Sequence, residues 1–121
     1  MQYSIVIPVF NEAKALRLLH EKLAKVMDSL ASRYEIIYVD DASTDTSLKI
    51  LKKLADGSDR VKIISFEKNR GQSAALYAGF RASRGSWIIT LDADGQNPPE
   101  EIEKLVELRD KFDCVAGVRK K

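Results

Sequence analysis

Two carboxylates spaced two residues apart, Asp92 and Asp94, end a short apolar run, Trp87-Ile88-Ile89-Thr90-Leu91. Along an extended chain, side chains return to the same side every second residue. If that geometry persists through Ala93, both carboxylates face one point in space. Hard oxygen ligands at a strand's carboxyl end suit Mg2+ or Mn2+, with the remaining positions left to water and substrate phosphates. Open α/β sheets bind ligands at that edge. The plainer alternative is a pair of loop carboxylates at a strand-to-helix turn, where Asp is common.

The elements that must position this pair follow from two alternating periodicities. Tyr3 to Val9 is an apolar run ended by Pro8, Asn11 and Glu12. Leu16, Leu19, Leu23, Val26 and Leu30 then recur at helical spacing between Glu12 and Leu30. Glu35 to Val39 reads as a second buried strand, stopped by Asp40 and Asp41. Ser43 or Thr44 is the expected N-cap of a helix holding Leu48, Leu51 and Leu54, with Gly57 at its end. Val61 to Phe66 is the third strand. Gly71 to Ser83 reads as a helix in which Ala74, Ala75, Ala78 and Gly79 permit close packing on a sheet, and Gly85 is expected to end it. Ser86 to Leu91 is the fourth strand. Asn97-Pro98-Pro99-Glu100-Glu101 has the form of a helix start, with a cap, an early proline and first-turn acids. Ile102, Leu105, Val106 and Leu108 give that helix its apolar stripe, and Phe112 to Val118 is the fifth strand.

Five nearly all-apolar strands alternating with four helices predict an α/β fold: a mostly parallel sheet with helices on both faces. The 121 residues make one domain or part of one. Neither linker nor repeat divides them. A net charge of +2 and only short basic clusters, at Arg60 to Lys62, Lys68 to Arg70 and Arg119 to Lys121, argue against nucleic acid as a partner. The lone Cys114 excludes a disulfide framework and is read as a small buried hydrophobe. Neither a signal peptide nor a membrane-crossing stretch is visible, which points to a cytoplasmic setting.

In a parallel sheet the carboxyl ends of the strands share one edge. That edge would gather Pro8 to Glu12, Asp40-Asp41, Asp92-Ala93-Asp94 and Gly117 to Arg119. Each has a plainer role available: Glu12 as a first-turn acid, Asp40 or Asp41 as a helix cap, Arg119 as the start of a basic tail. Their joint occurrence argues for a site. No P-loop and no G-x-G-x-x-G follows the first strand, so the usual phosphate cradles are missing. His20 lies mid-helix and reads as a surface or packing residue.

Four stretches, in order, carry a resemblance. They are Ile5-Val6-Ile7-Pro8-Val9-Phe10-Asn11-Glu12, Val39-Asp40-Asp41-Ala42-Ser43-Thr44-Asp45, Asn69-Arg70-Gly71-Gln72, and Leu91-Asp92-Ala93-Asp94-Gly95-Gln96-Asn97-Pro98-Pro99-Glu100. Together they resemble the family 2 inverting glycosyltransferases with the Rossmann-like GT-A nucleotide-sugar fold. The last stretch looks most like the polyprenyl-phosphate branch, which includes the dolichol-phosphate mannosyltransferases. The resemblance implies transfer of a sugar from a UDP- or GDP-sugar to an acceptor such as a polyprenyl or dolichyl phosphate, with Mg2+ or Mn2+. It implies that Pro8, Phe10 and Glu12 contact the base and ribose, and that Val39 and Asp41 hold the other side of the base. Asp92, Ala93, Asp94 and Gln96 would line the metal and diphosphate, with Asp92, Asp94 and Gln96 at the ion. Arg119 would approach the phosphates, and Asp94 and Arg119 would be the catalytic pair.

Members of that family continue well past this length, so residues 1–121 are expected to form its nucleotide-sugar-binding part. The full-length protein is expected at the inner face of the membrane. A fragment that binds nucleotide without catalysis is one rival reading. A receiver-type signalling module is another, but it needs its acidic pair after the first strand, where Pro8-Val9-Phe10-Asn11-Glu12 stands instead. In the family's sheet a later strand lies between the fourth and fifth. Its absence predicts an open edge on the fourth strand, and hence self-association or a fifth strand repacked directly on the fourth.

Overall fold

Strands covered on both faces need apolar side chains in both directions, and the first two apolar runs supply them. In the computed structural model, β1 spans Tyr3–Val9 and β2 Tyr34–Asp40, with every residue buried except the half-buried Pro8. β3 (Val61–Ser65) and β4 (Trp87–Thr90) complete a parallel set in the order β3-β2-β1-β4. The structure describes residues 2–30, 33–94, 98–102, 104, 114, 115 and 118–120.

Helices α1 (Ala13–Leu30) and α2 (Ser47–Asp56) cover one face. Their buried leucines, Leu16, Leu23 and Leu51, pack with Ile5, Ile7, Ile36 and Tyr38 of the sheet. Helix α3 (Gln72–Ala82) covers the other face, where Ala75 and Ala78 meet Ile37, Val39 and Ile64. Small residues let α3 approach closely: a Cβ on Gly79 would run into the Val6 side chain. Gly85 does not end α3, as its sequence position suggests; Ser83 does, in extended conformation. Gly85 instead lies so close to β1 that a Cβ would sit 2.6 Å from the Ser4 nitrogen and the Tyr3 carbonyl carbon.

Helix α2 starts later than expected, with Thr46 at the cap position and no side-chain cap bond. Ser43 and Thr44 are diverted because their hydroxyls bond to Asn11 of the preceding loop. The Pro98-Pro99 start is seen as a 3-10 turn, Pro99–Glu101, whose following Ile102 is fully buried. Asn97, Leu105, Val106 and Leu108 lie outside the described residues, as does the side chain of Cys114.

The expected parallel strand over Phe112 to Val118 is replaced by two short strands. These are β5 (Cys114–Val115) and β6 (Val118–Lys120), antiparallel to each other. β6 runs antiparallel to β4, pairing Ile88 with Arg119 and Ile89 with Val118. The sheet is therefore mixed and six-stranded, in the order β3-β2-β1-β4-β6-β5. The edge of β4 is not open, because a later strand of the same chain occupies it. Unpaired backbone groups along an apolar edge strand favour such pairing.

Candidate functional site

Two loops at the carboxyl edge are stitched together before any ligand arrives. Asn11 adopts φ 53°, a conformation Asn tolerates. Its side-chain oxygen accepts from the backbone N–H groups of Thr44 (2.8 Å) and Asp45 (3.3 Å). In return, Asn11 N–H donates to Ser43 Oγ and Glu12 N–H to Ser47 Oγ, each at 2.9 Å. The exposed Asp45 carboxylate takes the N–H of Ser47 and of Ala13. Bonding to Ser47 holds its carboxyl below the ordinary value, partly offset by desolvation. Phe10 and Glu12 are thereby fixed at the mouth of the edge.

Asp41 is nearly fully buried, and both carboxylate oxygens are used. Oδ1 accepts from Arg70 N–H at 2.6 Å and Oδ2 from Gly71 N–H at 2.9 Å. It ties β2 to the start of α3 and does not cap α2. Gly71 there has φ 94°, which an L side chain rarely adopts. Asp40, also buried, accepts from Ser43 N–H through Oδ2, while Oδ1 has no partner among the described residues.

An open cleft of about 250 Å³ lies above these loops, lined by Pro8, Phe10, Glu12, Asp41, Asp92 and Asp94, with Val9, Ala75, Ala93 and Gln72 completing it. Seven of the residues expected at the site thus come together: Pro8, Phe10, Glu12, Asp41, Asp92, Ala93 and Asp94. Val39 does not join them; it is a β2 residue fully buried against α3. Gln96 lies outside the described residues. Arg119 is not at a parallel strand's carboxyl end, since its backbone pairs with Ile88 inside the sheet, and its side chain lies outside what the structure describes. Sequence reasoning gave Gln72 no role, yet its Nε2 donates to Asp92 Oδ1 at 3.4 Å. Its place one residue after the α3 cap glycine was the available signal.

Glu12 has its pKa raised above 4.5 by burial, then by the charges of Asp94 and Asp45. Among the described residues, the charged groups lining the cleft are four carboxylates: Glu12, Asp41, Asp92 and Asp94. Among the described residues no group of three His, Cys, Asp or Glu forms a metal cage. The donors nonetheless fit a hard divalent ion that keeps waters and takes phosphate oxygens as further ligands. Such an ion would relieve the charge surplus that Glu12 registers. His20 is elsewhere, half-buried on α1, with Nδ1 2.7 Å from the Tyr38 hydroxyl. Burial lowers its pKa.

Residues 4–121 match the sequence family described as Glycosyl transferase family 2. The chain belongs to that family. The receiver-module reading falls away with this assignment. Among curated relatives, the family 2 chain is 50% identical over 119 residues to the undecaprenyl-phosphate 4-deoxy-4-formamido-L-arabinose transferase of Pseudomonas fluorescens, covering 96% of this chain and 35% of that protein. The chain thus spans about a third of such a relative's length. Its fold matches S. aureus TarS residues 1–349 in complex with UDP-GlcNAc, with a TM-score of 0.76, 25% identity and coverage of 92% of this chain and 32% of that one. It also matches the Pyrobaculum calidifontis mannosyltransferase PcManGT in complex with GDP-Man and Mn2+, with a TM-score of 0.69, 23% identity and coverage of 77% and 27%. The architecture of this family 2 chain is that of the GT-A glycosyltransferases.

Proposed function

We propose that this chain is the donor-binding part of a glycosyltransferase that moves a sugar from a UDP- or GDP-sugar to a polyprenyl phosphate. One observation supports the donor reading above all. Among the described residues, the cleft is lined by four carboxylates and no cation. A nucleoside diphosphate is itself an anion, so it enters such a cleft only with a counter-ion. A divalent ion held by Asp92 and Asp94, with Gln96 beside them, would offset the charge that develops on the diphosphate as the sugar leaves. Pro8 and Phe10 offer the base and ribose an apolar wall, and Asp41 the opposite polar wall. Val39 supports that wall from below. Arg119 remains a candidate for the phosphates.

The acceptor class rests on the named activity of the curated relatives, which act on undecaprenyl phosphate. A phosphate oxygen is already anionic at neutral pH and attacks without strong help from a base. The cleft accordingly has no His among its lining residues. Work on a lipid phosphate supports a position of the whole protein at the inner face of the membrane. Among the described residues no helix is long and apolar enough to cross one.

Calorimetric titration of UDP and GDP, with Mn2+ and then with EDTA, tests the donor reading. Binding is expected only with the ion. Equal affinity under both conditions overturns the metal role, and no binding under either overturns the donor reading.

A further inference from the structure

On the α1–α2 face lies a second hollow, of about 430 Å³, lined by Lys14, Arg17, Lys49 and Lys53 with Ala13, Thr46 and Ile50. Its charge is opposite to that of the donor cleft. None of the four cations pairs with a carboxylate among the described residues, where the only ion pair is Lys62 with Glu35. Asp45 stands beside the hollow, but its oxygens accept from the N–H groups of Ala13 and Ser47. The basic character extends over both helices, where seven lysines and arginines stand against three carboxylates, Glu21, Asp28 and Asp56. On α1, Lys14, Leu18, Lys22 and Lys25 follow helical spacing along the outer face and are all exposed. Leu18 is 57% exposed.

We propose that the α1–α2 face docks the protein onto an anionic lipid bilayer. Charge complementarity selects this occupant. Clustered lysines and arginines on a helical face attract anionic headgroups, and an apolar side chain set among them can enter the headgroup boundary. Four cations with no carboxylate partner among the described residues surround one hollow and provide a seat for lipid phosphates, and Leu18 provides the apolar contact. The helix face alone supports the docking; the lipid-phosphate acceptor proposed above supplies its use. A chain held this way presents its donor cleft beside the membrane, because α1 and α2 begin directly after the loops that build it.

Flotation of the 121-residue chain with vesicles tests this without nucleotide. Vesicles of phosphatidylcholine with phosphatidylglycerol are compared with phosphatidylcholine alone, at low and high salt. Binding is expected only to the anionic vesicles, and weaker at high salt. Replacing Lys14, Arg17, Lys49 and Lys53 by Gln should lower partitioning on the order of a thousandfold. Leu18→Ser should lower it severalfold. A control of equal charge change, Lys68, Arg81, Arg84 and Lys104 to Gln, should leave most of the binding intact. Equal loss in the control, or equal binding to uncharged vesicles, overturns the proposal. So does abolition of vesicle binding by millimolar inorganic phosphate, which would mark a site for free anions. Calorimetry of UDP with Mn2+ on the same variants separates the two proposals. Groove variants that lose vesicles should keep nucleotide affinity, and a chain that fails to bind UDP can still float with vesicles.

Discussion

A buried carboxylate and a carboxylate cluster sit at opposite edges of one sheet, and the fold treats them in opposite ways. At the amino edge, Glu35 is almost completely buried, yet every partner it needs comes from the chain. Ser4 Oγ donates to it at 2.5 Å, Arg84 N–H at 2.6 Å and Lys62 Nζ at 2.8 Å. Gly85 N–H donates to Ser4 Oγ and closes the network. Burial pushes the Glu35 pKa up, but these hydrogen bonds outweigh it and hold it below 4.5. At the carboxyl edge, burial and the neighbouring charges of Asp94 and Asp45 push Glu12 the other way. A carboxylate surrounded by donors serves the fold, and one crowded by like charges leaves room for a cation from outside.

The largest effect should come from breaking the amino edge. Glu35→Ala strands the Arg84 N–H and the Ser4 hydroxyl in a buried hole, and should cost about 3 kcal/mol in urea unfolding. Lys62 is 41% exposed and can regain water, so its lost pairing adds little. UDP affinity of the fraction that remains folded should not change. If stability holds and nucleotide binding falls, the two edges are not separate in function.

Asp94→Ala should do the reverse. Relieving like-charge crowding should leave the unfolding midpoint unchanged or slightly higher. Mn2+-dependent nucleotide affinity should drop by about 2 kcal/mol, the loss of a charged contact. Unchanged metal dependence in calorimetry would remove Asp94 from the ion site.

Asp41 belongs to both categories, because it lines the cleft while anchoring Arg70 and Gly71. Asp41→Ala should therefore cost about 1–3 kcal/mol in stability and also weaken nucleotide binding. An effect on thermal unfolding alone would make it a purely structural anchor of α3.

The smallest effects are in pH. The folded pKa of Glu35 lies below its unfolded value, so its contribution is present above about pH 4.5 and is lost as pH falls through the folded pKa. Glu12 has a raised folded pKa, so stability is gained as pH falls through that pKa toward 4.5. Urea midpoints from pH 7 to 3 should show the Glu12→Gln variant lacking the gain and the Glu35→Gln variant lacking the later loss. Added Mn2+ should oppose the Glu12 gain, because an ion favours the charged form.

Periodicity and composition alone determined the α/β class, the four parallel strands, α1, α3 and the gathering of Glu12, Asp41, Asp92 and Asp94 at one edge. These follow from local rules: apolar runs make buried strands, and parallel strands share a carboxyl edge. Tertiary structure decided what depends on partners distant in sequence. Ser43 and Thr44 failed as caps because Asn11, more than thirty residues away, claims them. Gly85 serves a contact with β1 eighty residues earlier. The last strands reversed direction because the chain's own β4 edge accepted antiparallel pairing, a choice no local pattern encodes. Sequence names the groups that can do chemistry; which are already satisfied by the fold, as Glu35 is, and which are crowded by like charges, as Glu12 is, depends on packing across the sheet.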